Sequence, residues 1–298
     1  MARITAQLET WQVKALELLA QAPSCGYRAH SAPRVEPTSL AAMALQSYQR
    51  ESARQASGWL AEKQLADGRV SDDLEADPPG WGTGLAILAW KSTDENEWSG
   101  NIERGVRYLL SVQGKVMDDP DRLVEHDTTI PGWPWIGETH SWLEPTAMAV
   151  AALESAGYGD HPRTIDGRRI LLDRILANGG CNYGNTIVLK QQLRPLAQPT
   201  GIAMLALARR ESNNPRLTST LDYLEKYLSG PVTTLSASYA SIGLCAHGRS
   251  CVDAKRKIRS AAEETLRRHA GPGHLALALL AAAGRESALV RTCLESEV

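Results

Sequence analysis

The chain of 298 residues is 43% hydrophobic and 22% charged, with a formal net charge of -2, the balance of a globular protein able to bury a large core. Lys and Arg are dispersed rather than gathered into a stripe, which argues against a nucleic-acid partner, and no apolar run approaches the roughly eighteen residues of a membrane span. Five scattered cysteines with no C-x-x-C pair fit reduced thiols better than a disulfide framework.

Residues 4–20 carry apolar side chains at helical spacing, interrupted by Gln7, Glu9, Gln12, Lys14 and Glu17. They predict an amphipathic helix rather than a signal peptide. A cytoplasmic location is the expectation, with contact between this helix and a membrane surface left open.

An internal repeat follows. The ten residues EPTSLAAMAL from 36, WGTGLAILAW from 81, EPTAMAVAAL from 144 and QPTGIAMLAL from 198 are copies of one unit, and LSASYASIGL from 235 and GPGHLALALL from 271 are weaker ones. The sixth position is always alanine: Ala41, Ala86, Ala149, Ala203, Ala240 and Ala276. The fifth is large: Leu40, Leu85, Met148, Ile202, Tyr239 and Leu275. Thr38, Thr83, Thr146 and Thr200 hold the third position, and Pro37, Pro145, Pro199 and Pro272 the second. Proline beside a hydroxyl residue suits a helix start. Each copy is then apolar nearly all round, so six buried inner helices are predicted.

Between the copies, residues 52–64, 101–113, 166–176, 215–228 and 252–269 are apolar on one helical face and charged on the other. Each reads as an outer helix, with residues 4–20 as the sixth. Six pairs predict a single all-α domain over 1–298, an (α/α)6 toroid of six helical hairpins with its repeats at about 36–284; an open helical solenoid is the rival. Copy starts are 45, 63, 54, 37 and 36 residues apart, so the excess length lies in loops after the second and third copies. Long loops in a compact scaffold tend to carry function.

The outer-helix ends carry a further pattern. Trp59-Leu60 is followed by Gln64 and Gly68, with Val70 last; Tyr108-Leu109 is followed by Gln113; Ile170-Leu171 by Ile175 and then Gly179-Gly180-Cys181; Tyr223-Leu224 by Leu228. This resembles the repeated motif of squalene-hopene cyclases and the wider prenyltransferase and squalene-cyclase repeat family: aromatic-Leu, three residues, Gln, three residues, Gly, one residue, Trp. Its glutamine is expected to bond backbone groups at the outer helix terminus. The resemblance implies a toroid, and a terpenoid-cyclase-like or prenyltransferase-like protein that holds an isoprenoid or other apolar ligand in its cavity. A non-catalytic member that binds a lipid or a partner protein is the alternative.

The chemistry of that family is only partly present. The D-x-D-D acid motif is absent; the nearest strings are Val70-Ser71-Asp72-Asp73 and Asp118-Asp119-Pro120-Asp121. Asp73 is a candidate through Asp72-Asp73-Leu74-Glu75-Ala76, a fragment of the D-D-x-x-D motif that holds magnesium in diphosphate-ionising synthases. Magnesium is therefore the cofactor that the resemblance offers. Zinc would need His274, or Cys245 with His247 and Cys251, in spacings the family's zinc sites do not share, and no metal ligand is assigned.

Inner-helix starts should meet at one rim and bring Glu36, Trp81, Glu144 and Gln198 together. Converging helix N-termini are expected to lower the pKa of Glu36 and Glu144, suiting them to hold a diphosphate through metal or to orient a base; plain helix capping is the other reading. The insertion 116–141 reaches the same rim with His126, Asp127, Trp133, Trp135, Glu138 and His140, followed by Trp142. Glu36, Glu144, His140 and Asp73 are the catalytic candidates. Trp81, Trp133, Trp135, Trp142, Gln198 and His274 are the ligand-binding candidates, indole faces being suited to a carbocation or an isoprenoid groove. The tryptophan loop could equally plug the barrel.

Overall fold

A computed structural model describes residues 8–72, 80–118, 124–249, 252–269 and 271–295. Thirteen α-helices lie among the described residues. In chain order they are α1 (Thr10–Gln21), α2 (Val35–Leu45), α3 (Arg50–Glu62), α4 (Thr83–Asp94), α5 (Ser99–Ser111), α6 (Leu143–Ser155) and α7 (Pro162–Asp173). After them come α8 (Ala197–Glu211), α9 (Arg216–Ser229), α10 (Thr234–Ala246), α11 (Val252–Arg267), α12 (Pro272–Ala282) and α13 (Ala288–Leu294). A two-residue-stranded hairpin, β1 (Ile187–Val188) with β2 (Gln191–Gln192), sits between α7 and α8.

The six repeat copies fall on α2, α4, α6, α8, α10 and α12. These helices are buried as their composition requires: α6 buries every residue from Leu143 to Ser155, and α4 every residue from Thr83 to Trp90. Each packs on the next in chain order, and α12 packs back on α2. The amphipathic helices cover the junctions. Helix α1 touches α12 and α2, α3 touches α2 and α4, α5 touches α4 and α6, and α7, α9 and α11 continue the series. In α5 the buried residues Ile102, Gly105, Val106, Tyr108 and Leu109 form one stripe, the spacing of a helix with one covered face.

The fourth position of the repeat lets neighbouring inner helices approach. A Cβ on Gly84 would lie 2.8 Å from the Met148 carbonyl oxygen, and one on Gly201 would lie 2.1 Å from that of Tyr239. In both cases the glycine meets the fifth-position backbone of the next inner helix, a contact that a side chain would block.

The third-position threonines are fully buried, but they are not helix caps as their place beside proline suggests. Helices α2, α6 and α8 begin upstream of the proline, at Val35, Leu143 and Ala197. Each threonine hydroxyl instead accepts a backbone amide from the segment that leads to its helix. Thr38 takes that of Cys25 at 3.1 Å, Thr83 that of Val70 at 2.9 Å, Thr146 that of Trp133 at 2.9 Å and Thr200 that of Cys181 at 2.8 Å. An extended segment buried without a strand neighbour needs such a partner.

The glutamine motif behaves as expected. Gln64 Nε2 donates to the carbonyls of Gly68 (3.0 Å) and Asn101 (2.9 Å), tying the end of α3 to the start of α5. Because Gln64 belongs to the turn, α3 ends at Glu62, and α5 likewise ends before Gln113, about two residues earlier than the periodicity suggests. The outer-helix aromatics reach back to the segment before their inner helix: the Tyr108 hydroxyl accepts from Gly80 N, and Tyr223 donates to Pro195 O. The copy around Tyr223, the most degenerate in sequence, is thus a complete helix.

Helix α13 lies beyond the repeat and has no counterpart in the sequence reading. It packs on α2, α4, α6, α8 and α10 through Ala288, Leu289, Val290 and Cys293. Cys293 senses Glu154 and Arg209, near the C-terminal ends of α6 and α8, so α13 covers the inner helices at the end opposite the rim. No helix among the described residues is long and apolar enough to cross a membrane.

Candidate functional site

The rim brings together Glu36 in the first turn of α2, Glu144 in that of α6 and Gln198 in that of α8. Tyr27, from the segment before α2, donates its hydroxyl to Glu36 Oε2 at 2.6 Å. Tyr239, from α10, is 1% exposed, and its hydroxyl also bonds the Glu36 carboxyl. Glu144 is 7% exposed, its carboxyl is met by the Gln198 side chain, and its Oε1 has no hydrogen-bond partner.

The charged neighbours that perturb these two groups are carboxylates. Burial is the main cause that raises the Glu36 pKa, with Asp72 adding to it while Tyr27 and Tyr239 oppose it. Burial and then the charge of Glu36 push Glu144 up to about 7. The lowering expected from converging helix N-termini is therefore overturned: desolvation and like-charge repulsion outweigh helix-end partial charges that fade within a turn. Burial also raises the Tyr239 phenol well above its ordinary value, and both glutamates reinforce the effect.

The remaining candidates are not among the groups that bond these two carboxyls. Trp81 and Trp135 form a T-shaped pair with ring centroids 4.7 Å apart, both half-buried. Trp142 precedes α6 and lies 4.6 Å from the ring of His140. His140 is exposed and lines a cavity of about 150 Å3 with Lys115, His126 and Arg174. His274, at the start of α12, is half-buried, and burial lowers its pKa. Asp73 lies outside the described residues; its neighbour Asp72 accepts the Val35 amide at 2.6 Å and so caps α2.

Trp133 is part of the scaffold. It is 2% exposed, donates Nε1 to Leu109 O at 2.9 Å and packs its ring 4.3 Å from the Arg163 guanidinium. Its amide bonds Thr146 as those of Val70 and Cys181 bond their threonines, so the three residues hold equivalent places before their inner helices. His247 Nε2 pairs with Met204 O at 2.8 Å, a structural tie at the end of α10. Among the described residues no group of three or more His, Cys, Asp or Glu is placed to hold a metal.

Two residues of the cluster were missed in the sequence. Tyr239 did leave a signal, as a phenol at a fifth position that is otherwise Leu, Met or Ile. Tyr27 left none, because its segment belongs to no repeat copy.

No protein-family model matches the chain, and no curated protein matches it. A crystal structure of a protein from Actinoplanes is similar in fold, with a TM-score of 0.56 and 16% identity over 88% of this chain and 82% of that one. At that identity the likeness concerns the all-α fold alone.

Proposed function

We propose that the chain is an α/α toroid of the prenyltransferase and squalene-cyclase repeat kind, whose rim receives an isoprenoid or similarly apolar ligand for terpenoid-cyclase-like or prenyltransferase-like chemistry. The unbroken order of contacts from α2 to α12 and back to α2 supports the toroid. The observation that carries the functional reading is Glu144, a buried carboxyl with one unpaired oxygen and a pKa near neutrality. A group poised there can both give and accept a proton at a bound ligand, the property required of a general acid or base.

Trp81 and Trp135 provide apolar surface at the same rim, and the loops leading to α6 and α8 expose Met117, Ile136 and Leu189, which suits entry of an apolar ligand or contact with a membrane surface. The described donor set does not fit magnesium, which needs several oxygen ligands in octahedral order: no three His, Cys, Asp or Glu among the described residues converge, and Glu36 is already engaged by two tyrosines.

One observation favours the non-catalytic reading. Helix α13 covers the far end, and Met43, Met148 and Met204 are buried among the inner helices, as in a scaffold with a filled interior that binds only at its mouth. Calorimetric titration with farnesol, followed by product analysis after incubation with farnesol and squalene, separates the two. Binding with turnover that Glu144→Gln abolishes supports the enzyme, and binding without turnover in the wild type selects the scaffold. If neither compound binds, the ligand site is refuted.

A further inference from the structure

We propose that the polar end of the ligand bound at this rim is an organic ammonium group, seated between Glu36 and Glu144 and flanked by aromatic rings. This rests on the apolar-ligand site proposed above and adds the chemical class of the head group.

The argument begins with an unmet requirement. Glu144 Oε1 is shielded from water and has no donor, whereas a buried carboxylate normally takes several hydrogen bonds. The second carboxyl, Glu36, has the tyrosine hydroxyls of Tyr27 and Tyr239 but no cation among the groups that perturb it. Of the nearby charged groups, Arg34 acts on Asp72 and on Tyr27, and Lys63 acts on Asp72. His274, from α12, carries a pKa lowered by burial, so its uncharged form is favoured. Among the described residues, neither carboxyl is met by a positive charge of its own; the nearest one, Arg34, acts on Tyr27 and Asp72 beside them.

The head group follows by elimination among chemical classes. A diphosphate would bring further negative charge against this pair. An alcohol would satisfy Oε1 but leave the repulsion between the glutamates. An ammonium does both: it donates up to three hydrogen bonds and supplies the missing charge. The aromatic side chains add to this. Trp81 stands at the first repeat position, two residues before α4, the helix that lies between α2 with Glu36 and α6 with Glu144 in packing order, and is paired with Trp135. Indole faces attract cations.

Protonation then couples to binding. The cation favours ionised Glu144, so affinity should rise with pH while the amine stays charged. With Glu144 titrating at about 7, its ionised fraction grows roughly thirty-fold from pH 5.5 to 8.

The test compares three ligands with one tail, farnesylamine, farnesol and farnesyl diphosphate, by calorimetry at pH 5.5 and 8. Farnesylamine should bind at least ten-fold more tightly than farnesol at pH 8, and its affinity should rise by about ten-fold or more between the two pH values. Glu144→Gln should remove that pH dependence, and Glu36→Gln should reduce the preference for amine over alcohol. Equal affinities for amine and alcohol, or tightest binding of the diphosphate, would overturn the ammonium assignment while leaving the apolar site in place. Absence of binding by all three would remove both.

Discussion

Replacing Glu144 by glutamine should stabilise the protein at pH 8 and leave it nearly unchanged near pH 4. The side chain is 7% exposed, and its pKa is raised from 4.5 to about 7, chiefly by burial and then by Glu36. At about 1.4 kcal/mol per pH unit, that displacement costs the folded state about 3 kcal/mol once Glu144 is ionised. The sign follows from proton binding: between pH 4.5 and 7 the folded chain holds a proton that the unfolded chain has released, so stability falls as pH rises through this window. Glutamine keeps the shape and the polar contact with Gln198 but cannot ionise. Urea denaturation at pH 4, 6 and 8 should therefore show a gain that grows with pH to about 2–3 kcal/mol. A variant whose midpoint differs from wild type by the same amount at all three values would refute the reasoning, because the effect would then not depend on ionisation.

Thr146→Val removes the hydroxyl that accepts the Trp133 amide and leaves that buried donor unpaired, so a loss of about 1–3 kcal/mol is expected in denaturant titration; Thr218→Val, at an exposed site on α9, should lie within about 0.5 kcal/mol of wild type. Gly201→Ala places a methyl 2.1 Å from the Tyr239 carbonyl oxygen, and the forced separation of α8 from α10 should cost about 1–3 kcal/mol, visible as a lower melting temperature. Leu289→Ala, at a fully buried position of α13, should lose about 2–5 kcal/mol, whereas a near-neutral result would mean that α13 does not pack on the inner helices. Glu154→Ala removes the carboxylate that Arg168 meets at 2.6 Å in the interior and leaves it the Gly159 carbonyl and Glu211; a loss of about 1–3 kcal/mol is expected, and Glu154→Gln should recover part of it in the same titration.

The helical scaffold was legible because its signal is repeated. Six copies with an invariant alanine and a large residue before it can hardly mean anything but equivalent buried helices, and the resemblance of the outer-helix ends to the cyclase repeat motif implied the backbone bonds that Gln64 makes. The meaning of the threonines was less accessible. Thr38, Thr83, Thr146 and Thr200 stand next to proline, where a cap is the local reading, yet their partners lie 13 to 19 residues upstream. For Trp133 the sequence left two readings open, a ligand surface and a plug, and its burial against Leu109 and Arg163 depends on contacts 24 and 30 residues away.

The sequence by itself determined which helices are buried all round and which are covered on one face, because burial and periodicity are local properties of composition. Only the tertiary structure decided the protonation of Glu36 and Glu144, since desolvation depends on what surrounds a carboxyl and not on the helix that carries it. It alone also decided that Tyr27 and Tyr239 reach the same carboxyl from opposite parts of the chain, and that a seven-residue helix outside the repeat covers the far end. Both depend on contacts between segments far apart in sequence, which no periodicity records.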